Sequence, residues 1–187
     1  AHGTTVAGNA VSASAGDGIH ISESHANTVV DNDSRDTHND GFEIWDSGSE
    51  GEPIVFDGNV AEDNDWWGIV VSQSAYTTVA NSQVHGNAND GIAVWSNSHH
   101  TSILDNDVSD NGRSGVIVVG GSHQNTIAGN VFAHNGRNGV VVADAGSELN
   151  VVVENEAMGN GDAGFAVGQA DNNSLIDNVS TDNGVNG

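Results

Sequence analysis

The sequence predicts an all-β protein, a parallel β-solenoid of about eight coils with three short strands in each coil. Three observations support this prediction. The 187-residue chain repeats itself every 22–27 residues, apolar residues inside each repeat lie two apart, and the segments between them are rich in Gly and Asn. A spacing of two is typical of strands, and Gly and Asn suit tight turns because they tolerate a left-handed backbone.

Three columns of residues keep step along the repeats. The first is an Asn column in which Ser82 fills the one gap: Asn9, Asn32, Asn59, Asn106, Asn130, Asn155 and Asn178. Five residues later, most repeats carry a second Asn: Asn64, Asn87, Asn111, Asn135, Asn160 and Asn183. Nine residues after the first column lies a Gly: Gly18, Gly41, Gly68, Gly91, Gly115, Gly139, Gly164 and Gly187. We expect stacked Asn side chains to hydrogen-bond from coil to coil and to satisfy backbone groups at the bends.

The residues after each Gly predict a strand in every repeat. Apolar pairs two apart follow the Gly, as in Ile92 and Val94 or Val140 and Val142. The Gly itself predicts a corner that needs either a left-handed backbone or a close approach of two chains, since no phosphate-loop motif surrounds it. Leucine-rich and calcium-binding nonapeptide repeats are excluded because their Leu scaffold and GGxGxDxUx pattern are missing.

The charge of the chain excludes several classes of partner. The net charge is −23, with three Arg and no Lys. A phosphate backbone would be repelled, so we expect no nucleic-acid partner. Salt screens such repulsion, with a Debye length of ~3 Å at 1 M, so the composition favours a halophilic source. The alternative is an acidic protein that uses Ca²⁺ as its counter-ion. No apolar run of about 18 residues is present, so we expect no membrane insertion.

Two units carry a resemblance to a known family. The segments "SILDNDVSDNGRSGVIVV" and "NTIAGNVFAHNGRNGVVV" resemble the repeats of NosD-type proteins and of the catalytic modules of mannuronan C5-epimerases. The resemblance extends over essentially the whole chain. It implies a right-handed parallel β-helix, with residues 1–187 as a single domain or as a segment of a larger protein.

The resemblance also implies where an active site would lie. In these proteins the strand after the Gly lines a polysaccharide groove, and the epimerases carry an Asp-Pro-His motif there. The matching segment Gly41–Trp45 reads "GFEIW". Glu43 could stand where the motif has an acid, but Trp45 replaces the His, so the motif is incomplete. If the protein is an enzyme, the candidate catalytic residues are His20, Glu43, Asp36 and His38.

The outward positions of the same strand become apolar from Val70 onward. A strand that is apolar on both faces is typical of one covered on both faces, and exposed apolar patches mark interfaces. The alternative is a β-rich surface that tolerates aliphatic side chains. The sequence therefore predicts an interface with another subunit, in a homo-oligomer or filament, or with the rest of a larger chain. Its candidate residues are Val70, Ala93, Ile117, Val119, Val141 and Ala143.

Aromatic and metal-ligating residues provide further candidates. Four Trp could stack on sugar rings or on a protein partner, although core packing is an alternative for some of them: Trp45, Trp66, Trp67 and Trp95. His99 and His123 occupy equivalent positions of successive repeats and are weak candidates for binding Zn²⁺ or Cu²⁺; exposed turn histidines are the alternative.

Clusters of Asp could bind Ca²⁺, with solvated acids as the alternative. These clusters are Asp31, Asp33 and Asp36, and Asp105, Asp107 and Asp110. We expect no other cofactor. Asn172 lies in an Asn-Asn-Ser sequon and is a candidate glycosylation site.

Taken together, these features favour an extracellular structural or adhesive module from a salt-adapted organism, which self-associates or binds glycans through one sheet face. The alternative is a polysaccharide-modifying enzyme of the C5-epimerase or lyase type, with its groove on that same sheet. The enzyme interpretation requires an acid and a base within hydrogen-bonding distance in an open groove.

Overall fold

The computed structural model describes residues 2–185, which form 23 strands in three parallel sheets. The chain visits sheets I, II and III in turn, so the described range makes seven complete coils and two strands of an eighth. Gly187 of the Gly column lies outside the described residues. Within residues 2–185, no helix is long and apolar enough to cross a membrane. The prediction of a parallel β-helix with three strands per coil is confirmed.

Each sheet takes every third strand of the chain. Sheet I contains β1 (Thr5–Ala7), β4 (Thr28–Val30), β7 (Ile54–Asp57), β10 (Thr77–Ala80), β13 (Ser102–Leu104), β16 (Thr126–Ala128), β19 (Val151–Val153) and β22 (Ser174–Ile176). Sheet II contains β2 (Ala10–Ser12), β5 (Asp33–Arg35), β8 (Val60–Glu62), β11 (Gln83–His85), β14 (Asp107–Ser109), β17 (Val131–Ala133), β20 (Glu156–Met158) and β23 (Val179–Thr181). Sheet III contains β3 (Ile19–Ser22), β6 (Phe42–Trp45), β9 (Ile69–Ser72), β12 (Ile92–Trp95), β15 (Val116–Val118), β18 (Val140–Ala143) and β21 (Phe165–Gly168).

The core is a set of apolar stacks that run along the solenoid axis. Each strand pairs with its equivalent in the next coil, so Ile92 lies beside Val116 and Val116 beside Val140. Because side chains alternate across a strand, one residue of each pair of neighbours points into the core. The largest fully buried side chains include Phe42, Phe56 and Phe132.

The two Asn columns form the predicted ladders at the bends that flank sheet II. At Asn135, the side-chain oxygen accepts hydrogen bonds from both the backbone N–H and the side-chain amide of Asn111, at 3.1 and 3.0 Å. Its own amide donates to Asn160 Oδ1 and to the carbonyl of Val108, both at 3.0 Å. Ser82 fills its gap as expected, since its hydroxyl accepts from the backbone N–H of Asn59 at 3.2 Å. The ladders therefore satisfy backbone groups at buried bends.

The Gly column is explained by close approach of neighbouring coils. A Cβ added to Gly91 would lie 2.8 Å from the carbonyl oxygen of Gly115 in the next coil and would collide with Val108. The backbone of Gly91 is not left-handed. Of the two explanations for this column, the structure therefore supports the steric one.

Candidate acid–base site and tryptophan platform

The outer face of sheet III changes character along the solenoid. Its first two strands present His20 and Glu43, which lie side by side in the register of β3 and β6. Later strands present apolar residues at the same position, from Val70 in β9 to Val141 in β18. The polar end of this face is where two of the four candidate catalytic residues, His20 and Glu43, come together.

An acid–base cluster forms at that end from Asp17, His20 and Glu43. The Nδ1 atom of His20 lies 2.7 Å from Glu43 Oε2 and 3.4 Å from Asp17 Oδ2. The side chain of His20 is 42% exposed, so the cluster is open to a ligand in solution. The structure thus brings together His20 and Glu43 as the sequence predicted, and adds Asp17.

A buried carboxyl group, Asp40, lies behind this cluster. Its backbone N–H donates to Asp17 Oδ1 at 3.3 Å, and its own Oδ1 accepts from the backbone N–H of Trp67 at 3.1 Å. Asp90, which precedes Gly91 of the Gly column, accepts a backbone hydrogen bond from the next coil in the same way: Ser114 N–H donates to Asp90 Oδ1 at 2.8 Å. Sequence reasoning missed this column. Its signal was the Asp that precedes Gly in "GDG" and in both copies of "NDG".

Two carboxyl groups of the site have raised pKa values. Burial, together with the negative charges of Asp17 and Glu43, raises the pKa of Asp40 to about 7, against the opposing hydrogen bond from the backbone N–H of Trp67. Burial also raises the pKa of Glu43, while the adjacent His20 lowers it. A carboxyl group such as Asp40, which can hold or release a proton near neutral pH, is suited to general acid–base catalysis.

Asp40 makes the stability of the protein pH-dependent. Between its unfolded pKa of 3.8 and its folded pKa of about 7, the folded chain holds a proton that the unfolded chain has lost. This contribution is fully present below pH 3.8 and is lost as the pH rises to about 7, so we expect about 2–4 kcal/mol of stability to disappear over that interval. Urea unfolding of the wild type and of Asp40→Asn at pH 5 and pH 8 measures it.

In Asp40→Asn the loss of stability between these two pH values should be clearly smaller than in the wild type. The control is Asp182→Asn, which removes an exposed acid and should leave the wild-type pH dependence intact. An Asp40→Asn variant with the full wild-type pH dependence would show that Asp40 titrates as an ordinary carboxyl group.

Three tryptophans contact one another at sheet III: Trp95 ends β12, and Trp66 and Trp67 lie on the turn before β9. The ring centroids of Trp67 and Trp95 are 5.9 Å apart, and those of Trp66 and Trp67 are 5.7 Å apart. Trp67 Nε1 donates to Asp90 Oδ2 at 3.3 Å, which fixes its ring. Trp66 and Trp95 are about half exposed, at 48% and 41%. We call Trp66, Trp67 and Trp95 the tryptophan platform.

The platform changes the expectation of an exposed apolar ridge. Val70 and Ala93 point outward from sheet III, yet they are only 1% and 0% exposed within this single chain. We attribute this burial to the Trp67–Trp95 pair, since Trp67 lies three residues before Val70 and Trp95 two residues after Ala93. Neither residue is therefore available to a partner, and a lone chain does not expose the full ridge.

The other ridge residues are half-buried: Ile117, Val119, Val141 and Ala143. For them, contact with a partner stays a prediction. Trp45 is also half-buried, and it flanks Ser72 in the register of sheet III, with Trp95 on the far side.

Two candidate catalytic residues lie apart from the cluster. His38 Nδ1 is 3.1 Å from Asp65 Oδ2, and both side chains are about two-thirds exposed. Asp36 is exposed, and its backbone N–H donates to the carbonyl of Glu62. No hydrogen bond or ion pair among the described residues joins either of them to His20 or Glu43. They lie on the turn before the strand that carries Glu43, so the structure does not bring them into the cluster, and their catalytic role stays a prediction.

The Asp clusters suggested for Ca²⁺ do not converge. Within residues 2–185, one group of three ligand residues has donor atoms within 4.8 Å of one another, and it consists of Asp17, His20 and Glu43. Asp33 instead pairs with Arg35, whose Nε donates to it at 2.6 Å. Asn172 is exposed on a turn, so its glycosylation stays a prediction.

Comparison with known proteins places the chain among β-helix proteins. Residues 1–145 match the family described as periplasmic copper-binding protein (NosD). The chain is similar to the A-module of mannuronan C-5 epimerase AlgE6 from Azotobacter vinelandii, with 21% identity and a TM-score of 0.76 over 96% of this chain and 55% of that one. It is also similar to the periplasmic alginate epimerase AlgG, with 23% identity and a TM-score of 0.70 over 81% of this chain.

A third similar structure is the alginate lyase from Paenibacillus sp. str. FPU-7, with 14% identity and a TM-score of 0.61 over 91% of this chain and 75% of that one. The chain spans 35% of the length of AlgG and 55% of the AlgE6 module. No curated protein sequence matches it. At these identities, the likeness to solved structures shows the fold alone.

The description of the family implies copper. The donor atoms of the acid–base cluster fit one of the two common oxidation states of copper. Asp17, His20 and Glu43 offer one imidazole nitrogen and two carboxylate oxygens within 4.8 Å. Cu²⁺ accepts nitrogen and oxygen donors, whereas Cu⁺ prefers sulfur. The chain has no Cys and a single Met. Its residues therefore fit Cu²⁺ and do not provide a sulfur site for Cu⁺.

Proposed function

Because the chain belongs to the NosD family and has the β-helix fold of polysaccharide epimerases and lyases, we propose that it binds and modifies a polysaccharide along the outer face of sheet III. The observation that supports this most is the connection between two features. The acid–base cluster and the tryptophan platform are linked through Asp40, whose backbone N–H donates to Asp17 Oδ1 and whose own Oδ1 accepts from the backbone N–H of Trp67. Aromatic rings that are half exposed and linked to an open acid–base pair suit a sugar polymer that must be both held and deprotonated.

The proposed reaction is proton transfer at a ring carbon next to a sugar carboxylate, as in C5-epimerases and lyases. Glu43 acts as the base, because burial raises its pKa and makes its carboxylate a stronger proton acceptor. His20, 2.7 Å away, exchanges protons with Glu43. Asp40, with a pKa of about 7, supplies a second proton that is held near the site.

A uronate polymer carries the same sign of charge as this protein. The net charge of −23 repels it at low salt, and screening shortens the range of that repulsion to ~3 Å at 1 M salt. We therefore expect activity on such a polymer to rise with salt concentration. This expectation agrees with the halophilic source that the composition favours. We also place the protein outside the cytoplasm, which is supported by the periplasmic description of the family and of AlgG.

The tryptophan platform offers a direct test of polysaccharide binding. We expect Trp95→Ala to raise the dissociation constant for a bound polymer about 2–10-fold, because an aromatic contact contributes about 0.5–1.5 kcal/mol. The measurement is calorimetric titration with alginate and pectate fragments at about 1 M salt. The matched control is Tyr76→Ala, which removes an aromatic ring at the corner between sheets III and I. Equal affinities for wild type and Trp95→Ala would remove the platform from the binding site.

A second candidate function, self-association as a structural module, is supported by a different observation. The last three described strands, β21 to β23, expose apolar side chains by more than 40% each: Val167, Leu175, Ile176 and Val179. Such a surface is suited to a further coil or to a second copy of the chain. Light scattering in high salt distinguishes the two candidates, since an enzyme that works as a monomer would show one chain per particle.

A further inference from the structure

Two of the three arginines of the chain lie in consecutive coils at the corner between sheets II and III. Arg113 and Arg137 each stand two residues before a Gly of the Gly column. The backbone N–H of Arg137 donates to the carbonyl of Arg113 at 2.8 Å, so the two residues occupy the same place in neighbouring coils. Both residues are exposed, and the step between coils is ~4.8 Å. We call this pair the arginine border of sheet III.

The same column of residues leads back to the tryptophan platform. The backbone N–H of Arg113 donates to the carbonyl of Asn89, and that of Asn89 donates to the carbonyl of Trp66, both at 3.1 Å. Trp66 therefore lies two coils, or about 10 Å, before Arg113 along the corner. A polymer that lies along this edge of the sheet would meet a half-exposed indole ring and then two guanidinium groups.

Asp90 joins Arg113 to the platform through side-chain contacts. Its Oδ2 lies 3.7 Å from Arg113 Nη1 and accepts a hydrogen bond from Trp67 Nε1 at 3.3 Å. The side chain of Asp90 is 1% exposed, whereas that of Arg113 is 47% exposed. Asn89 Oδ1 also accepts from Arg113 Nη1, at 3.0 Å. Since a guanidinium carries five N–H donors, the half-exposed group retains donors for a second carboxylate.

No ion pair within residues 2–185 engages Arg137, because the arginines that form ion pairs there are Arg35 and Arg113. The chain has a net charge of −23 and no Lys, yet it places two cations one coil apart, where they repel each other. An anionic ligand that contacts both guanidinium groups would remove that repulsion. The opposite border of sheet III carries histidines instead of arginines: the rings of His99 and His123 stack there, 5.1 Å apart.

We propose that Arg113 and Arg137 form a carboxylate-binding subsite for an acidic sugar polymer whose rings stack on the tryptophan platform. The inference rests on the proposed function and adds to it the residues that distinguish an acidic polymer from a neutral one. The net charge of the chain does not prevent this contact at high salt. A guanidinium–carboxylate contact of ~2.7–2.9 Å lies within the ~3 Å screening length at 1 M salt, whereas repulsion from distant acids is screened.

Calorimetric titration of the 187-residue chain at about 1 M salt tests the proposal. The ligands are alginate and pectate fragments, and the same fragments after methyl esterification, which removes the charge and keeps the sugar backbone. We expect the wild type to bind the free acids more tightly than the esters. Arg113→Gln and Arg137→Gln should each raise the dissociation constant for the free acids about 2–5-fold, and the double variant about 5–20-fold. The dissociation constants for the esters should not change.

Arg35→Gln is the matched control, because it removes the same charge from sheet II, where Arg35 pairs with Asp33 and Glu62. We expect it to keep the wild-type preference for the free acids. Arg137→Gln breaks no ion pair of the described residues, so it tests the subsite even if Arg113→Gln disturbs Asp90. Far-UV circular dichroism of each variant confirms that the fold is kept.

Three results would overturn the subsite while leaving the proposed function in place. The wild type could show no preference for the free acids, the double variant could keep that preference, or Arg35→Gln could lose it to the same extent. Weaker binding of esters and acids alike in the double variant would also contradict a role in reading carboxylates. A wild type that binds neither the acids nor the esters would contradict the proposed function, and the subsite with it.

Discussion

Replacing Glu43 with Gln is expected to lower the rate of polysaccharide conversion by about 10²–10⁴-fold, because the amide cannot accept the proton that the reaction removes. Gln has nearly the same size and can still hydrogen-bond to His20, which lies 2.7 Å from the carboxylate. The affinity for the polymer should therefore change little. The measurement compares turnover and binding of wild type and Glu43→Gln on the same polymer at about 1 M salt.

His20→Ala should cause a loss of rate of similar order, since it removes the proton partner of Glu43. The matched control is Glu156→Gln, which makes the same chemical change at an exposed position of sheet II and should leave the rate unchanged. If Glu43→Gln kept wild-type turnover, Glu43 would not be the base, and the catalytic assignment of the cluster would fail.

Replacing Asn135 with Ala is expected to cause a large loss of stability. The Asn135 side chain takes part in four hydrogen bonds with Asn111, Asn160 and Val108, all within the buried bend. At about 1 kcal/mol for each bond, and with donors left unsatisfied, the free energy of unfolding should fall by about 4 kcal/mol. The midpoint of urea unfolding reports this change.

Asn135→Asp separates hydrogen bonding from shape. The carboxylate keeps the acceptor but loses the amide that donates to Asn160 Oδ1 and Val108 O, and it adds a buried charge, so we expect it to be at least as destabilising as Ala. Gln83→Ala removes an exposed amide from sheet II and should change stability by no more than about 0.5 kcal/mol. A loss at Asn135 no larger than at Gln83 would mean that the ladder does not stabilise the solenoid.

The regular columns are the part of the fold that the sequence predicts well. An Asn or a Gly that returns at nearly constant spacing specifies both the coil and the bend, because every coil must present the same group to its neighbour. Ser82 follows this logic, since a hydroxyl can accept the hydrogen bond that an Asn side chain would otherwise accept. Sequence alone was enough to predict the ladders and the three sheets.

Less regular columns are harder to detect. A serine ladder runs along the corner between sheets III and I, where Ser24 N–H donates to Ser47 Oγ at 3.2 Å and Ser47 N–H donates to Ser74 Oγ at 3.1 Å. Turns of different length follow sheet III, so Ser74 and Ser98 differ by one residue in their distance from the preceding Gly. A search for a fixed offset misses such a column, although the hydrogen bonds form in space.

The candidate site was predictable only in part. The register of sheet III places His20 beside Glu43, and the sequence carries that information in the repeat. The raised pKa of Asp40 depends on how deeply its carboxyl group is buried, which no local pattern reports. The burial of Val70 and Ala93, which we attribute to the Trp67–Trp95 pair of neighbouring coils, is likewise reported by no local pattern. Both effects arise from packing between coils.

The central claim is that the polar end of sheet III exchanges a proton with a bound sugar polymer. The most direct measurement is nuclear magnetic resonance of uronate polymers incubated with the protein in D₂O at about 1 M salt. We expect deuterium to appear at the ring carbon next to the carboxylate, or an unsaturated product to form, with the wild type but not with Glu43→Gln. Binding of these polymers without any exchange or cleavage by the wild type would contradict the claim and favour a purely glycan-binding or structural module.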